Sequence, residues 1–436
     1  MIKDLLKKMM NNKIWLILTV VICVRGLVYS FYNEVSIYLD TSSYVYFTQN
    51  ILKGEINALR TPVYPNIIKF ITLFDRSAGL YANITIMQEI VSLISVVILY
   101  MTLRKVMKNQ MTANLATIIY GCLPSIFTYN RVILTESLSI SLFVMYFCLI
   151  IKYLTNPNIK KAILIGIATL VLIMLRPSFL YLLVMLIIMF GLVFILKKES
   201  RKTAIYGGLS ILGVVICILV YSYGNLKQNG YFSISSVTQI NQLDNIINLR
   251  IFDTRDSQDA GIIDTIDDWI DGYDGPWYRK TTEKIMTNYT VEEVDNYISR
   301  CIKNNFWQYV ERTINKALEL QLEQCDEIYL SAKEGKPLIK PLICFGVIFI
   351  YVIYNAIYIL AKTIKKQKIS ILQTTLLVTI LGQIAIIILG AQAEFSRLFI
   401  PVLPIVIISI AWNVDDILQS FENKEEQQLE GANKDE

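Results

Sequence analysis

The segment FLYLLVMLIIMFGLVFIL, residues 179–196, contains no charged side chain. A helix needs roughly 20 mostly apolar residues to cross a hydrocarbon core about 30 Å thick. A basic residue lies close to each end of the segment, Arg176 before it and Lys197 after it. The length of the segment and its basic borders predict a helix that crosses a lipid bilayer.

Segments of similar length and composition recur along the whole chain. Hydrophobic residues make up 54% of the 436 residues and charged residues only 18%, and the mean hydropathy is +0.48, which is more apolar than an ordinary soluble domain. The predicted spans are residues 14–29, 84–103, 115–127, 138–151, 162–175, 179–196, 205–221, 338–360, 371–389 and 398–412. We therefore expect an all-α integral membrane protein with about ten transmembrane helices.

Lysine and arginine residues cluster in every second short connection between these spans, which marks those connections as cytoplasmic. The clusters are Lys3, Lys7, Lys8 and Lys13; Arg104, Lys105 and Lys108; Lys152, Lys160 and Lys161; Lys197, Lys198, Arg201 and Lys202; and Lys362, Lys365, Lys366 and Lys368. They account for the formal net charge of +5, so the charge predicts contact with the lipid bilayer and no nucleic-acid partner. We expect a multi-pass protein of the plasma membrane with both termini in the cytoplasm.

This orientation divides the chain into four parts. Residues 1–223 form an N-terminal transmembrane region with a first extracytoplasmic loop at 32–82. Residues 224–337 form an extracytoplasmic domain, residues 338–415 the C-terminal transmembrane helices and residues 416–436 a polar cytoplasmic tail.

The extracytoplasmic domain begins with an acidic stretch and ends with a helical pattern. The acidic residues are Asp253, Asp256, Asp259, Asp264, Asp267, Asp268, Asp271 and Asp274. Because their spacing matches no calcium loop, we expect a solvated loop, with a loosely held cation as a minor alternative. Apolar residues at helical spacing predict a helix over Val291 to Leu330 that packs over the membrane portion.

Five charged residues lie in or at the predicted spans, where a charge costs free energy and is usually kept for a site or a buried pair. They are Arg25, Glu89, Glu136, Arg176 and Arg397. In the predicted topology all five lie near the outer surface, so we expect them to share one polar cavity. For Arg25 or Arg176 taken singly, the alternative is an arginine that extends to the interface.

The residue types in the chain limit the chemistry that such a cavity can perform. The sequence contains no histidine, so a carboxylate is the expected general base. No cysteine spacing matches a zinc site and no glycine-rich loop matches a nucleotide-phosphate motif. We predict no bound metal and no required cofactor, although a divalent cation remains an option.

The first outer loop contains the most distinctive local sequence. It reads YLDTSSY at residues 38–44, then Gly54, then LRTPVYP at residues 59–65. This order resembles the polytopic glycosyltransferases of the GT-C superfamily that use polyprenyl-phosphate sugars, such as the protein O-mannosyltransferases and lipid A aminoarabinose transferases of glycosyltransferase family 39. Members typically carry an Asp soon after the first span, a nearby Tyr, a Gly about ten residues later and an Arg-x-Pro-x-Tyr-Pro segment.

The resemblance extends through three further motifs, TES at residues 135–137, LRP at 175–177 and SRLFIP at 396–401. It therefore covers the membrane portion from end to end. One departure concerns the loop Asp: the family often places a second acid beside it, whereas Thr41 follows Asp40 here. The usual pair of acids is therefore not expected in this chain.

The resemblance implies a fold, a reaction and a set of site residues. The implied fold is GT-C-like with a mostly helical extracytoplasmic domain. The implied reaction moves a sugar from a polyprenyl-phosphate-linked donor to an extracytoplasmic acceptor, which is a protein, a lipid or a cell-wall glycan, with inversion at the anomeric carbon. The implied catalytic residues are Asp40 as general base and Glu136, which orients the base or an arginine. The implied ligands of the lipid phosphate or the donor sugar are Arg60, Arg397, Tyr44, Tyr64 and Arg176.

Other interpretations of the same residues remain open. Asp40 is also suited to cap a helix that begins at Thr41, and Pro62, Tyr64 and Pro65 are suited to shape an interfacial helix. A polytopic transporter or a flippase for lipid-linked sugars would also place ionisable residues in the membrane, but near its midplane and within paired repeats. A non-catalytic envelope scaffold is the third alternative.

Overall fold

The computed structural model describes residues 14–31, 34–51, 53–73, 79–270, 277–328, 341–364, 370–391 and 393–432. These residues are mostly helical, and apart from two isolated bridges the described ranges contain no β-structure. The α-helices are α1 Ile14–Phe31, α2 Leu39–Ile51, α3 Val63–Thr72, α4 Leu80–Val106, α5 Gln110–Cys122, α6 Pro124–Phe127, α7 Thr135–Thr155, α8 Ile159–Leu175, α9 Leu182–Leu196, α10 Arg201–Asn229, α11 Val237–Asn248, α12 Ala260–Ile270, α13 Trp277–Asn288, α14 Val291–Asn304, α15 Phe306–Leu320, α16 Phe345–Ile364, α17 Ile371–Gly390, α18 Phe395–Phe399 and α19 Leu403–Ala432. The predicted fold class, an all-α polytopic membrane protein, is confirmed.

Within the described ranges, eight helices are long and apolar enough to cross a membrane, and a bent pair makes a ninth. The bent pair joins α5 to the segment Pro124–Arg131 at 51°, because a proline at the start of α6 cannot continue the helix before it. The predicted span at residues 162–175 lies in α8, whose 17 residues are at the short end of the length that covers a bilayer. The expected number of about ten spans thus corresponds to these helices.

The membrane helices form one bundle with a shared apolar core. α7 lies at its centre, packed against α4 and α8, while α10 packs along α8 and α9. In α7 72% of the span is buried inside the protein, against 17% in α16. The large apolar side chains that α10 and α16 leave exposed require a lipid environment.

One end of the bundle carries the basic connections. Lys197 donates from Nζ to the carbonyl oxygen of Leu154 at 2.6 Å, and Lys161 donates to the carbonyl oxygen of Lys152 at 3.1 Å. Glu136 lies in the first turn of α7, about 24 Å along the helix from Lys152. The predicted basic residues 3–13 and 365–368 lie outside the described residues. The described basic connections and Glu136 therefore lie at opposite ends of α7.

The helices α11 to α15 form an outer unit with its own apolar core. The predicted solvated loop is wrong for α12, which is a helix, and Asp259 is buried in a two-bond pair with Arg300 at 2.7 and 2.8 Å. Asp271 and Asp274 lie outside the described residues. The predicted helix from Val291 is interrupted at Asn305, which separates α14 from α15.

The outer unit contacts the end of α17, as the expected packing over the membrane portion requires. Asn245 of α11 donates from Nδ2 to the carbonyl oxygen of Leu389 at 3.2 Å. Lys316 of α15 donates from Nζ to Asn245 at 2.7 Å, to the carbonyl oxygen of Ile388 at 3.0 Å and to that of Ala391. These bonds satisfy carbonyl groups that the end of α17 leaves without helical partners.

Candidate active site

A continuous chain of ion pairs connects residues of the first loop to Arg397, near the C-terminal end of the sequence. Arg60 Nη2 lies 2.7 Å from Asp40 Oδ1, and Arg397 Nη2 lies 2.8 Å from Asp40 Oδ2. Arg397 also donates from Nε to Glu136 Oε1 at 2.7 Å, and Arg176 Nη1 lies 3.2 Å from the same oxygen. Five of the seven predicted site residues are thus connected, although they come from five separate segments.

Backbone contacts hold the first outer loop against the segment that precedes α7. Ser36 donates from its amide to the carbonyl oxygen of Arg131 at 2.9 Å, and the amide of Ile133 donates to the carbonyl oxygen of Ser36 at 3.3 Å. The Thr41 hydroxyl donates to the carbonyl oxygen of Ile133 at 3.0 Å. These bonds place the first turn of α2, which carries Asp40, beside the first turn of α7.

The alternative in which Asp40 caps a helix is not supported by its contacts. α2 begins at Leu39, so Asp40 lies inside the first turn and not at the position before it. Both carboxylate oxygens accept hydrogen bonds from arginine side chains. The position of Asp40 is therefore set by Arg60 and Arg397.

Arg60 is held by the α2 side chains that it faces. It donates from Nε to the Ser43 hydroxyl at 2.7 Å and from Nη1 to the Tyr44 hydroxyl at 3.1 Å, and its guanidinium carbon lies 4.4 Å from the centre of the Tyr44 ring. The Asn57 side-chain oxygen accepts from the amide of Arg60 at 2.8 Å. Arg60 is thus fixed at its backbone and at three guanidinium nitrogens.

Arg397 contacts three carboxylates. Besides Asp40 and Glu136, it donates from Nη1 to Glu394 Oε2 at 3.0 Å. Glu394 precedes α18 with φ at 57°, a backbone conformation that non-glycine residues adopt at a cost in free energy and often at functional sites. The sequence interpretation missed Glu394, although its spacing of three residues from Arg397 is a known signal for a helical ion pair.

Glu136 and Arg176 lie deeper than Asp40. The side chain of Glu136 is 1% exposed and that of Arg176 is 9% exposed. Nη1 of Arg176 is buried and has no hydrogen-bond partner, although it pairs with Glu136 by charge. Glu136 therefore lies between Arg397 and Arg176 and pairs with both.

Tyr64 is buried and does not reach the cavity that the arginines line. Its hydroxyl donates to the side-chain oxygen of Gln88 at 2.8 Å, and its ring packs edge-on against Tyr44 with the centres 5.2 Å apart. Gln88 in turn donates to the carbonyl oxygens of Asn130 and Val132 at 3.0 Å. Tyr64 thus supports Tyr44 and the segment before α7.

A cavity of about 900 Å³ lies in front of the ion-pair chain. Asp40, Tyr44, Arg60, Arg176 and Arg397 form its charged wall. A second wall is mainly apolar and comes from the end of α8, the turn before α9, the end of α17 and α18. Its apolar residues are Leu175, Pro177, Leu180, Ile386, Leu389 and Leu398. The third wall is polar and belongs to the outer unit, mainly to α11.

The arginines determine the ionisation of Asp40. Burial alone would raise the pKa of Asp40, but the neighbouring guanidinium groups of Arg60 and Arg397 outweigh burial and hold that pKa below the ordinary value of a carboxyl group. Asp40 is therefore ionised at neutral pH in the ligand-free site.

Arg25 and Glu89 belong to a second, separate network, so the expectation of one cavity for all five charged residues is wrong. Arg25 donates from Nη1 to Glu89 Oε1 at 2.7 Å and from Nε to the carbonyl oxygen of Gly121 at 2.9 Å. Asn130 donates to the other Glu89 oxygen at 2.7 Å. This network binds the bent pair of helices to α1 and α4, and neither Arg25 nor Glu89 lines the cavity.

The described part of the chain contains no group of three or more cysteine, aspartate and glutamate side chains that is arranged to hold a metal ion. The acids nearest to the site, Asp40, Glu136 and Glu394, are each paired with arginine. Their negative charge is therefore balanced by side chains of the protein.

Comparison with solved structures places the fold beside an archaeal oligosaccharyltransferase. The Archaeoglobus fulgidus enzyme in complex with zinc and sulfate aligns with a TM-score of 0.52 and 10% identity, over 94% of this chain and 50% of that chain. The same enzyme, named AglB, in complex with an inhibitory peptide and a dolichol-phosphate aligns at 0.48 and 12% identity, over 95% and 52%. Its form tethered to an acceptor peptide with the NVT sequon aligns at 0.48 and 12%, over 92% and 49%.

The chain spans about half the length of these structures. Its sequence matches no protein-family model and no curated protein. At 10% identity this similarity shows the fold alone, and it agrees with the fold that the sequence resemblance implied.

Proposed function

We propose that the protein is a membrane glycosyltransferase that moves a sugar from a polyprenyl-phosphate carrier to an extracytoplasmic acceptor. The observation that carries this proposal is the carboxylate of Asp40, held between Arg60 and Arg397 on the wall of a cavity with an apolar side. A base for the acceptor, cations for a phosphate and an apolar surface for a lipid are the three parts that this reaction needs. The shared fold adds support.

The lipid phosphate is bound by the arginines in this proposal. Arg60, Arg176 and Arg397 all line the cavity, and guanidinium groups bind phosphate through charge-assisted, often paired hydrogen bonds. Arg176 lines the cavity while its Nη1 atom is paired with Glu136 at 3.2 Å. The first isoprene units of the carrier lie along Leu175, Leu180 and the end of α17, where the cavity wall is apolar.

The chemical step is a single displacement at the anomeric carbon. Asp40 removes the proton from a hydroxyl or amide group of the acceptor, and the freed electron pair forms the new bond to the anomeric carbon with inversion. The bond from that carbon to the phosphate oxygen breaks at the same time, and the electron pair leaves with the polyprenyl phosphate. Arg60 and Arg397 stabilise the negative charge that develops there.

A low pKa makes Asp40 a weak base in the ligand-free site, and binding of the donor raises that pKa. The donor phosphate competes with Asp40 for the hydrogen bonds of Arg60 and Arg397. Loss of those bonds and the added negative charge both raise the pKa of Asp40. The base is therefore activated when the donor is in place, which limits proton transfer to the loaded enzyme.

The other predicted site residues take supporting roles. Glu136 positions Arg397 and Arg176, Tyr44 holds Arg60 and lines the cavity, and Tyr64 supports Tyr44 from behind. In this proposal Glu136 acts through the arginines and does not touch the substrate.

The proposed topology follows from the two ends of α7. The site lies at the end that carries Glu136 and the basic connections lie at the other end, so the positive-inside rule puts the site outside the cytoplasm. We propose a plasma-membrane location with both termini inside, and domain boundaries at residues 223, 337 and 415. The acceptor is then an extracytoplasmic protein, lipid or cell-wall glycan.

Lipid mass spectrometry on cells tests the function. Cells that lack the protein receive the native chain, Asp40→Asn or no chain, and the pool of polyprenyl-phosphate sugars is measured. We expect one glycosylated carrier to accumulate without the protein and with Asp40→Asn but not with the native chain. An effect of deletion that Asp40→Asn fully restores would refute the transferase and favour a flippase or a scaffold.

A further inference from the structure

The helix α11 presents a polar face to the cavity and an apolar face to the outer unit. Thr238, Asn241 and Gln242 line the cavity together with two apolar residues of the same helix, Val237 and Ile240. Their spacing of three and four residues places the three polar residues on one side of the helix. Leu243 and Ile247 are fully buried in the core of the outer unit. The apolar face thus anchors α11, and the polar face forms a wall of the cavity.

The cavity-lining amides of α11 differ from its other polar residues in their hydrogen bonds. Asn245, one turn further on, bonds through its side chain to Leu389 and Lys316, and Asp244 accepts from the Thr282 hydroxyl. The side chains of Asn241 and Gln242 make no hydrogen bond with any described residue. The structure therefore does not use these two amides to hold α11 in place.

Two amides that line the cavity without a hydrogen bond to the described residues suit the hydroxyl groups of a sugar. Each carboxamide offers two donors and an acceptor, and a sugar hydroxyl both donates and accepts. Asp244 and Glu283 line the same side of the cavity, and their carboxylates disfavour an acidic sugar. A cavity of about 900 Å³ lies within the usual size range of small-molecule sites.

We infer that Thr238, Asn241 and Gln242 form a subsite that selects a neutral or amino sugar by its hydroxyl groups. This inference rests on the proposed function, because the arginines on the opposite wall hold the phosphate while α11 contacts the sugar. The sugar is either the one carried by the donor or one that belongs to the acceptor, and the same amide chemistry serves both.

Binding measurements on the full chain in lipid nanodiscs separate these cases. The probes are farnesyl phosphate, a panel of farnesyl-phosphate sugars with mannose, glucose, N-acetylglucosamine or aminoarabinose, and the free disaccharides of the neutral sugars. The test variant is Asn241→Ala with Gln242→Ala. Its matched control is Asn248→Ala, which changes an exposed amide on the same helix outside the cavity.

We expect native protein and control to bind one glycosylated probe more tightly than farnesyl phosphate. The double variant should lose about 10- to 100-fold in affinity for that probe, because two or more hydrogen bonds to the sugar are lost. Its affinity for farnesyl phosphate should not change, which also shows that the variant is folded. Loss confined to a free disaccharide would support the subsite and assign it to the acceptor.

Two results overturn the inference, and they differ from each other. If the double variant keeps the native preference for every probe, the α11 side chains do not select the sugar. Binding of farnesyl phosphate would then still leave the proposed function intact. If the native chain does not bind farnesyl phosphate at all, the proposed function fails and the subsite fails with it.

Discussion

Replacement of Asp40 by asparagine separates catalysis from phosphate binding. The Asp40→Asn change keeps the size of the side chain but removes the negative charge between Arg60 and Arg397 and the ability to accept a proton. Turnover should fall about 10²- to 10⁴-fold, which is the usual contribution of a general base. Binding of the lipid phosphate should become tighter.

The size of the gain in binding follows from the contacts of Asp40. A phosphate that bonds to the same two arginines lies roughly 5 Å from the carboxylate, and two negative charges at that distance repel by about 3 kcal/mol at an effective dielectric constant of 20. Asp40 also occupies one nitrogen of each arginine, at 2.7 and 2.8 Å. Part of the gain in binding free energy is lost, because the arginines released from Asp40 are hydrated and must give up that water to bind the phosphate. We therefore expect farnesyl phosphate to bind roughly 10- to 100-fold more tightly.

The assay compares Asp40→Asn with the native chain in nanodiscs, with binding of farnesyl phosphate and transfer measured on the same preparation. Asp295→Asn is the control, because Asp295 is exposed on α14 in the outer unit and the change removes the same charge. Weaker binding in Asp40→Asn would show that the carboxylate organises the arginines for the phosphate and does not compete with it. Unchanged turnover would refute the role of Asp40 as base.

Three further predictions concern neighbouring charges. Arg397→Ala leaves the buried carboxylate of Glu136 with one arginine fewer, so the free energy of unfolding should fall by about 3–5 kcal/mol. Arg60→Ala at the cavity edge should mainly weaken binding of farnesyl phosphate. Thermal unfolding and binding measurements distinguish the two variants, and equal losses of stability in both would contradict the prediction. The acid limb of the kcat profile should lie at higher pH than that of the kcat/KM profile, because the bound phosphate raises the pKa of Asp40 above its low value in the free site. Acid limbs at the same pH in both profiles would argue against donor-activated catalysis. Burial lowers the pKa of Lys316 to about 8, so as pH rises through this value the ammonium group loses one of its three hydrogen-bond donors to α11 and the end of α17. Activity should therefore decline above pH 8 in the native chain and not in Lys316→Arg. A decline shared by both proteins would exclude Lys316 as its cause.

The sequence allowed the spans and the charged wall to be predicted, for different physical reasons. A span is predictable because the thickness of the bilayer sets the length of an uncharged segment, as residues 179–196 show. Arg397 was singled out because a charge at a membrane span is costly, whereas Asp40 and Arg60 were singled out because their local motifs resemble a known family. The ion pairs between them depend on tertiary contacts such as Ser36 with Arg131, which no local pattern encodes.

Two features could not be predicted because the relevant information is not local. Hydropathy gives the depth of a residue along a span but not its direction around the helix axis, so Arg25 and Glu89 were grouped with Arg176 although they face a different network. No prediction was made for α11, whose polar residues are those expected of a water-exposed segment. Only the packed structure shows that polar residues of α11 line the same cavity as Arg60, Arg176 and Arg397.

The placement of both arginines on Asp40 explains how one site can serve both the base and the leaving group. Before transfer the proposed reaction has one negative charge on Asp40 and one on the donor phosphodiester. After transfer Asp40 is neutral and the polyprenyl phosphate carries close to two negative charges. The total charge in the cavity is thus unchanged, but a full unit has moved from the carboxylate to the phosphate. Nη2 of Arg60 and Nη2 of Arg397 each carry a second N–H besides the one donated to Asp40. The two arginines can therefore follow that charge by exchanging hydrogen-bond partners, without a change in the charge that the low-dielectric site must hold.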